Sequence, residues 1–244
     1  MHTPTVLITG ASRGIGAALA RRFAADGCNL VLNCAHSKDA LFALADDLKT
    51  TFHINVLCLV GDIGDFSFVE RLVQTAADTF GGIDILINNA GIASIGLLTN
   101  LTIDDWNRII ATNLTSVFST CRCAVPYMVH NKQGKIINIS SVWGVIGASC
   151  EVAYSACKGG VNAFTRALAK ELAPSNIQVN AIACGVIDTD MNACFSPEER
   201  SELEAEIPAG RYGTPEEVAE FAFSLAMGHP YLTGQVITLD GGWI

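Results

Sequence analysis

Seven apolar runs of five to seven residues, dominated by Val, Ile and Leu, recur almost from end to end of this chain with longer amphipathic stretches between them. They read TVLIT (5–9), NLVLN (29–33), INVLCLV (54–60), IDILINN (83–89), KIINIS (135–140), IQVNAIA (177–183) and QVITLD (235–240). The intervening segments 15–26, 38–50, 66–80, 104–130, 152–173 and 215–227 carry helical periodicity. A strand that is apolar on successive residues must be covered on both faces, and helical crossovers make neighbouring strands parallel. The pattern predicts an α/β fold, a doubly wound seven-stranded parallel sheet flanked by helices. No Pro/Gly-rich or low-complexity linker interrupts the rhythm, so residues 1–244 are expected to form a single domain.

One segment departs from the alternation. Residues 188–210, DTDMNACFSPEERSELEAEIPAG, form a helical excursion between the sixth and seventh runs. Ligands of open α/β sheets sit beyond the carboxyl ends of the strands, so an excursion there is a candidate substrate lid.

Composition excludes several classes of function. Half the residues are hydrophobic and 16% are charged, as a large core requires, and the net charge of −9 with no basic cluster disfavours nucleic acid and anionic membranes as partners. No apolar run approaches the roughly 20 residues that span a bilayer. The start, MHTP, passes directly into a strand, so a soluble cytoplasmic protein is expected. The nine cysteines are scattered through apolar segments without C-x-x-C spacing, and the five histidines without a ligand pair, so neither disulfides nor a metal site is expected.

The first run continues into VLITGASRGIGAALARRF, a strand, a glycine turn and a helix, with Gly10, Gly14 and Gly16 in G-x-x-x-G-x-G spacing. Such a turn brings backbone N–H groups and a helix N-terminus against a pyrophosphate. Gly10, Ser12 and Gly14 also spell G-x-S-x-G, the nucleophile elbow of serine hydrolases. That chemistry needs an oxyanion-donor loop before the elbow, and the nine residues preceding Gly10 suffice for one strand. At the end of the second run an NAD site would carry an acid for the ribose 2′-hydroxyl. Asn33, Cys34 and Ala35 stand there instead, with Arg13 and Lys38 available to a 2′-phosphate, so NADP is the expected cofactor and NAD the alternative.

Four further motifs fall where strands should meet this face: NNAG (88–91), Asn113, Ser141 after the fifth run, and Tyr154 with Lys158 four residues later in SCEVAYSACK. On a helix, Tyr154 and Lys158 share one face. With the glycine turn and the closing TGQVITLDGG, the whole chain resembles the short-chain dehydrogenase/reductase family. The resemblance implies a Rossmann domain in an NAD(P)-dependent oxidoreductase acting on CH–OH groups. Tyr154 would then be the general acid in carbonyl reduction, Ser141 would hold the substrate oxygen, Lys158 would bind the nicotinamide ribose, and Asn113 would support a proton relay. A phenol is a weak acid at neutral pH until a nearby ammonium and the oxidised nicotinamide favour its phenolate. The cofactor would lie along Gly10, Ser12, Arg13, Gly14, Ile15 and Gly16, with Asn33 near the ribose and Asp62 and Ile63 flanking adenine. It would continue past Asn89, Ala90 and Gly91 to Tyr154, Lys158, Gly185, Ile187 and Thr189. Relatives usually read Pro-Gly where this chain reads Cys184-Gly185, a change that either loosens the nicotinamide pocket around a reactive thiol or is a neutral small-residue substitution.

Within the family, IINISS, VIDTDM, GRYGTPEEVAEF and TGQVITLDGG resemble 3-oxoacyl-acyl-carrier-protein reductases most. SSVWGVIGASCEVAYSACK and GVIDTDMN also resemble reductases of the 5-aminopentanone group carried by elongation factor P. The resemblance thus implies a small-molecule or carrier-bound ketone as substrate, with Ser141, Trp143 and Glu151 expected to face it. A hydroxysteroid or other secondary-alcohol dehydrogenase, a serine hydrolase and a non-catalytic nucleotide-binding protein are the alternatives. Acidic carrier proteins dock on basic residues, yet only Lys132 and Lys135 offer local positive charge near LAPSN. Glu151 either pairs with an amine on the substrate or interacts with a helix N-terminus. The resemblance also implies a homotetramer formed through the helices at 104–130 and 152–173 and through the C-terminal strand region.

Overall fold

The computed structural model describes residues 3–193 and 195–244. Strands β1 (Thr5–Ile8), β2 (Asn29–Cys34), β3 (Val56–Val60), β4 (Ile85–Asn88), β5 (Gly134–Ser141), β6 (Ile177–Cys184) and β7 (Val236–Leu239) form one sheet in the order β3-β2-β1-β4-β5-β6-β7. All six strand pairings are parallel. Every residue of β1, β4 and β6 is buried, which is why these strands are apolar on successive residues rather than alternately.

The helices divide between the two faces. α1 (Gly14–Ala25), α2 (Lys38–Phe52) and α8 (Pro215–Met227) pack one core with Phe23, Leu41, Leu44 and Val218. α3 (Phe66–Phe80), α5 (Ser116–Asn131) and α6 (Val152–Leu172) pack the other with Phe68, Leu72, Val117 and Val161. Burying a side chain such as Phe23 contributes about 2–3 kcal/mol. The chain runs outward through β2 and β3, then returns to place β4 on the other side of β1. That reversal opens a crevice beyond the carboxyl ends of β1 and β4, where doubly wound sheets bind their ligands.

The helix expected over 104–130 is broken. α4 (Ile103–Ile110) gives way to a π-helical turn, Ala111–Thr115, before α5 begins. Asn113 lies in the turn and is bonded in both directions to one backbone unit: its Oδ1 accepts from Ile92 N at 2.9 Å and its Nδ2 donates to Ile92 O at 2.8 Å. The wider turn aims Asn113 inward, a local change of pitch that apolar periodicity does not register.

The excursion after β6 contains α7 (Pro197–Glu206), started by a reciprocal capping box between Ser196 and Glu199. Arg200 holds α7 down, bonding both oxygens of Asp188 at 3.0 Å and lying over the Tyr212 ring. No helix among the described residues is long and apolar enough to cross a membrane.

Candidate active site

The crevice is a groove of about 910 Å³ running from the glycine turn across the ends of β1, β4, β5 and β6. At its head Gly10 has φ +65°, and a Cβ there would lie 2.9 Å from Ala90 Cα. A Cβ on Gly16 would lie 2.1 Å from Gly10 O, so only glycine lets the helix start fold back onto its own turn. Arg13 caps α1 without a side-chain hydrogen bond, leaving the N–H groups of the first turn free for an anion.

The floor is made by a clip between two strand ends. Thr9 Oγ1 accepts from the backbone N–H groups of Asn89 and Ala90, and Asn89 Nδ2 returns bonds to the carbonyls of Thr9 and Gly10, all at 3.0 Å. Asp62 and Ile63 line one wall, with Asp62 Oδ1 accepting from Gly64 N at 2.8 Å. Asn33 lines the groove as well, but its amide nitrogen donates to the carbonyls of Cys34, Leu59 and Gly61 and ties β2 to the end of β3. No carboxylate occurs among the lining residues Cys34 to Ser37. Across the groove, Ile187 and Thr189 form the far wall, and Arg13 of the glycine turn pairs with Asp190 at 3.5 Å. Lys38 is not part of the lining and sits over Phe42 instead.

Ser141 ends β5, and Tyr154 and Lys158 lie on the first turns of α6. Lys158 is 4% exposed, its Nζ donating to Ile139 O at 2.7 Å and lying 5.4 Å from the centre of the Tyr154 ring. Burial lowers the ammonium to about 8. Burial also pushes the Tyr154 phenol well above its ordinary value, with the Glu151 carboxylate adding to the effect and a hydrogen bond with Ser141 opposing it. The phenol therefore holds its proton at neutral pH, the state in which a proton donor must start. Asn113 lines neither this groove nor the adjoining cleft; it reaches the site through Ile92. A Cβ on Gly91 would come within 2.8 Å of Asn113 Oδ1, so the glycine admits this contact.

The groove opens into a second cleft of about 430 Å³, and Ser141 and Tyr154 line both. Trp143 and Glu151 belong to the second cleft, which α7 closes with Glu199, Glu202, Leu203 and Glu206. Glu151 is the N-cap residue of α6 but makes no side-chain capping hydrogen bond, and its carboxyl is held above the usual carboxylate range by burial, opposed by the Trp143 side chain. Trp243, beyond β7, packs at a tilt against Trp143 with ring centres 5.0 Å apart. Cys184 lines the groove but is 5% exposed, and burial raises its thiol to about 12, so it behaves as a small apolar residue.

Some functional positions escaped the sequence reading. Thr9 could have been found, since it directly precedes the glycine turn. Asn162, one turn beyond Lys158, accepts from Ser140 Oγ at 2.6 Å and donates to Gly144 O at 2.9 Å, fixing the Ser141 turn to α6; nothing in its neighbourhood of the sequence marks it. Trp243 was equally silent, because its partner is a hundred residues away.

Residues 4–200 match the family of short chain dehydrogenases. The chain belongs to that family. The dehydrogenase is 39% identical over 240 residues to the uncharacterized oxidoreductase YmfI of Bacillus subtilis, covering 98% of each chain. It is 40% identical over 240 residues to a 3-oxoacyl-acyl-carrier-protein reductase of Synechocystis, covering 98% of this chain and 96% of the relative. It is 38% identical over 237 residues to the 3-oxoacyl-acyl-carrier-protein reductase FabG of Chlamydia muridarum, covering 97% and 95%. These relationships establish an NAD(P)-dependent oxidoreductase, in place of the hydrolase and non-catalytic alternatives. The glycine cradle, the open N–H groups of α1 and the buried Lys158 amine suit a nicotinamide dinucleotide.

Proposed function

We propose that the dehydrogenase is an NADPH-dependent ketoreductase in which Tyr154 delivers the proton to the carbonyl oxygen. The observation that carries this reading is that the long groove and the short cleft meet at Ser141 and Tyr154. A dinucleotide in the groove and a ketone in the cleft would have their reacting ends at the only two hydroxyls common to both linings. The nicotinamide supplies the hydride when bound. Ser141 Oγ, held by Trp143 N at 3.1 Å, still has its own proton to donate to the substrate oxygen, and the Tyr154 phenol lines the same junction as the second donor. Lys158 presents its amine to the groove for the ribose hydroxyls, and Asn113 positions Ile92 beside it.

Preference for NADPH is supported by the absence of an acid between Cys34 and Ser37 and by the mostly exposed guanidinium of Arg13. Replacing Arg13 by Ala is expected to lower the ratio of kcat/KM with NADPH to that with NADH by about tenfold, the size of one charge-assisted contact. Steady-state kinetics with both cofactors checks this; an unchanged ratio would take the 2′-phosphate away from Arg13.

For the substrate, a 3-oxoacyl thioester is supported by the relatives of that name across nearly the whole chain. A second reading, a ketone carrying a primary amine, is favoured by one feature of the cleft: Glu151, Glu199, Glu202 and Glu206 all line it, with no basic residue among the described lining residues. An ammonium beside Glu151 would offset the burial that now raises its carboxyl. The carrier-docking requirement is weakly met by the two lysines the sequence offered, because Lys135 is half-buried and donates to Gly228 O, and only Lys132 of that pair is exposed. NADPH oxidation measured with an acetoacetyl thioester and with 5-amino-2-pentanone distinguishes the two. If the amine reading holds, Glu151→Gln loses about 10- to 100-fold in kcat/KM for the aminoketone and little for the thioester. Efficient thioester turnover indifferent to Glu151 decides for the first reading. We place the enzyme in the cytosol as a homotetramer, by analogy with the family.

A further inference from the structure

We propose that Trp243 is a specificity-determining residue whose indole, packed at a tilt against Trp143, forms a fixed aromatic wall that admits slender ketones and rejects branched or aryl ones. The inference rests on the reading of the second cleft as the substrate site. Both indoles line that cleft, their ring centres 5.0 Å apart and their planes inclined by 58°. This is the offset, tilted contact that aromatic pairs favour. Trp143 N donates to Ser141 Oγ, and the Trp143 side chain holds the Glu151 carboxyl down against its burial. Trp243 therefore braces the residue that links the reacting hydroxyl to the cleft's half-buried acid.

The wall is rigid because its outer member is anchored. Asp240 accepts from the backbone of Gly242 at 3.0 Å through Oδ1 and of Ile244 at 2.9 Å through Oδ2, gripping the chain on both sides of Trp243. Asp240 is in turn pressed against Gly185, where a Cβ would come within 2.7 Å of Asp240 Cα. Gly185 lines both cavities, so the Trp243 segment is fixed directly to the floor where groove and cleft join. In a cleft of about 430 Å³ an indole occupies a large share of the boundary, and its loss opens room for a branch or a ring.

The test compares Trp243→Ala, Trp243→Phe and Asp240→Ala with the parent protein. Two readouts run in parallel: kcat/KM for 2-heptanone and propiophenone, and calorimetric affinity for the two corresponding alcohols with NADP present. In Trp243→Ala and Asp240→Ala the preference for the unbranched member is expected to fall about tenfold or more in both readouts, while Trp243→Phe retains it. A variant that merely loosens the fold would melt earlier with an unchanged preference. Preferences within twofold of the parent in Trp243→Ala overturn the proposal. If neither ketone is turned over yet the alcohol affinities shift as expected, the wall stands and the ketoreductase reading falls.

Discussion

Tyr154→Phe is expected to reduce kcat for ketone reduction by about 10²- to 10⁴-fold, on the order of 3–5 kcal/mol of barrier, while NADPH affinity stays within a few fold. The phenol lines both cavities beside Ser141, so its removal takes away the donor at their junction without disturbing the glycine turn that would hold the pyrophosphate. Burial raises the phenol's proton affinity, which keeps the acid loaded and also makes it reluctant. The proton moves only once negative charge grows on the carbonyl oxygen beside it. The phenylalanine ring preserves the packing, so the melting temperature should change by no more than one lost hydrogen bond implies, about 1 kcal/mol. Single-turnover NADPH oxidation, with cofactor binding followed by fluorescence, separates the two effects. Turnover comparable to the parent would remove Tyr154 from the acid role.

The parts of this architecture that could be read from the sequence are those that depend on repeating pattern or on a motif contiguous in the chain. Val/Ile/Leu runs such as IQVNAIA require burial on both faces, and that requirement fixes a parallel sheet between helix layers. The residues from Gly10 to Gly16 announced their turn because no residue with a Cβ fits at Gly16. What remained hidden has a common physical character. The π turn at Asn113 interrupts a helix whose apolar period survives on either side, and the backbone its side chain engages, that of Ile92, lies 21 positions away. Asn33 looked like a cofactor contact, and it does line the groove, but its side chain is engaged by β3. The aromatic and acidic character of the second cleft emerges only when residues from β5, α6, α7 and the stretch after β7 converge. The 188–210 excursion could be recognised as a cover for the site, yet not which of its side chains would face inward.

Lys158→Met is expected to abolish useful activity and at the same time raise the stability of the cofactor-free protein near neutral pH. Lys158 is 4% exposed, with its ammonium bonded to Ile139 O and no carboxylate partner among its hydrogen bonds. Burial brings its pKa from 10.5 down to about 8. The sign of the pH dependence follows from proton counting. Below about 8 the lysine is charged in both folded and unfolded chains, and the folded chain bears the full desolvation cost. Between about 8 and 10.5 the unfolded chain binds the proton and the folded chain releases it, so the lysine protein gains stability relative to the methionine variant as pH rises. The variant should therefore melt higher than the parent at pH 7, by an amount moderated by the unpaired Ile139 carbonyl, and this advantage should shrink steadily up to about pH 10.5. Thermal unfolding of both proteins across that range is the measurement, and a variant that melts lower at pH 7 would mean the ammonium is stabilised by its surroundings. Saturating NADPH should narrow or reverse the gap, since a ribose binding Lys158 stabilises only the parent. A lysine retained at the expense of stability is the mark of a site shaped by its ligand rather than by packing.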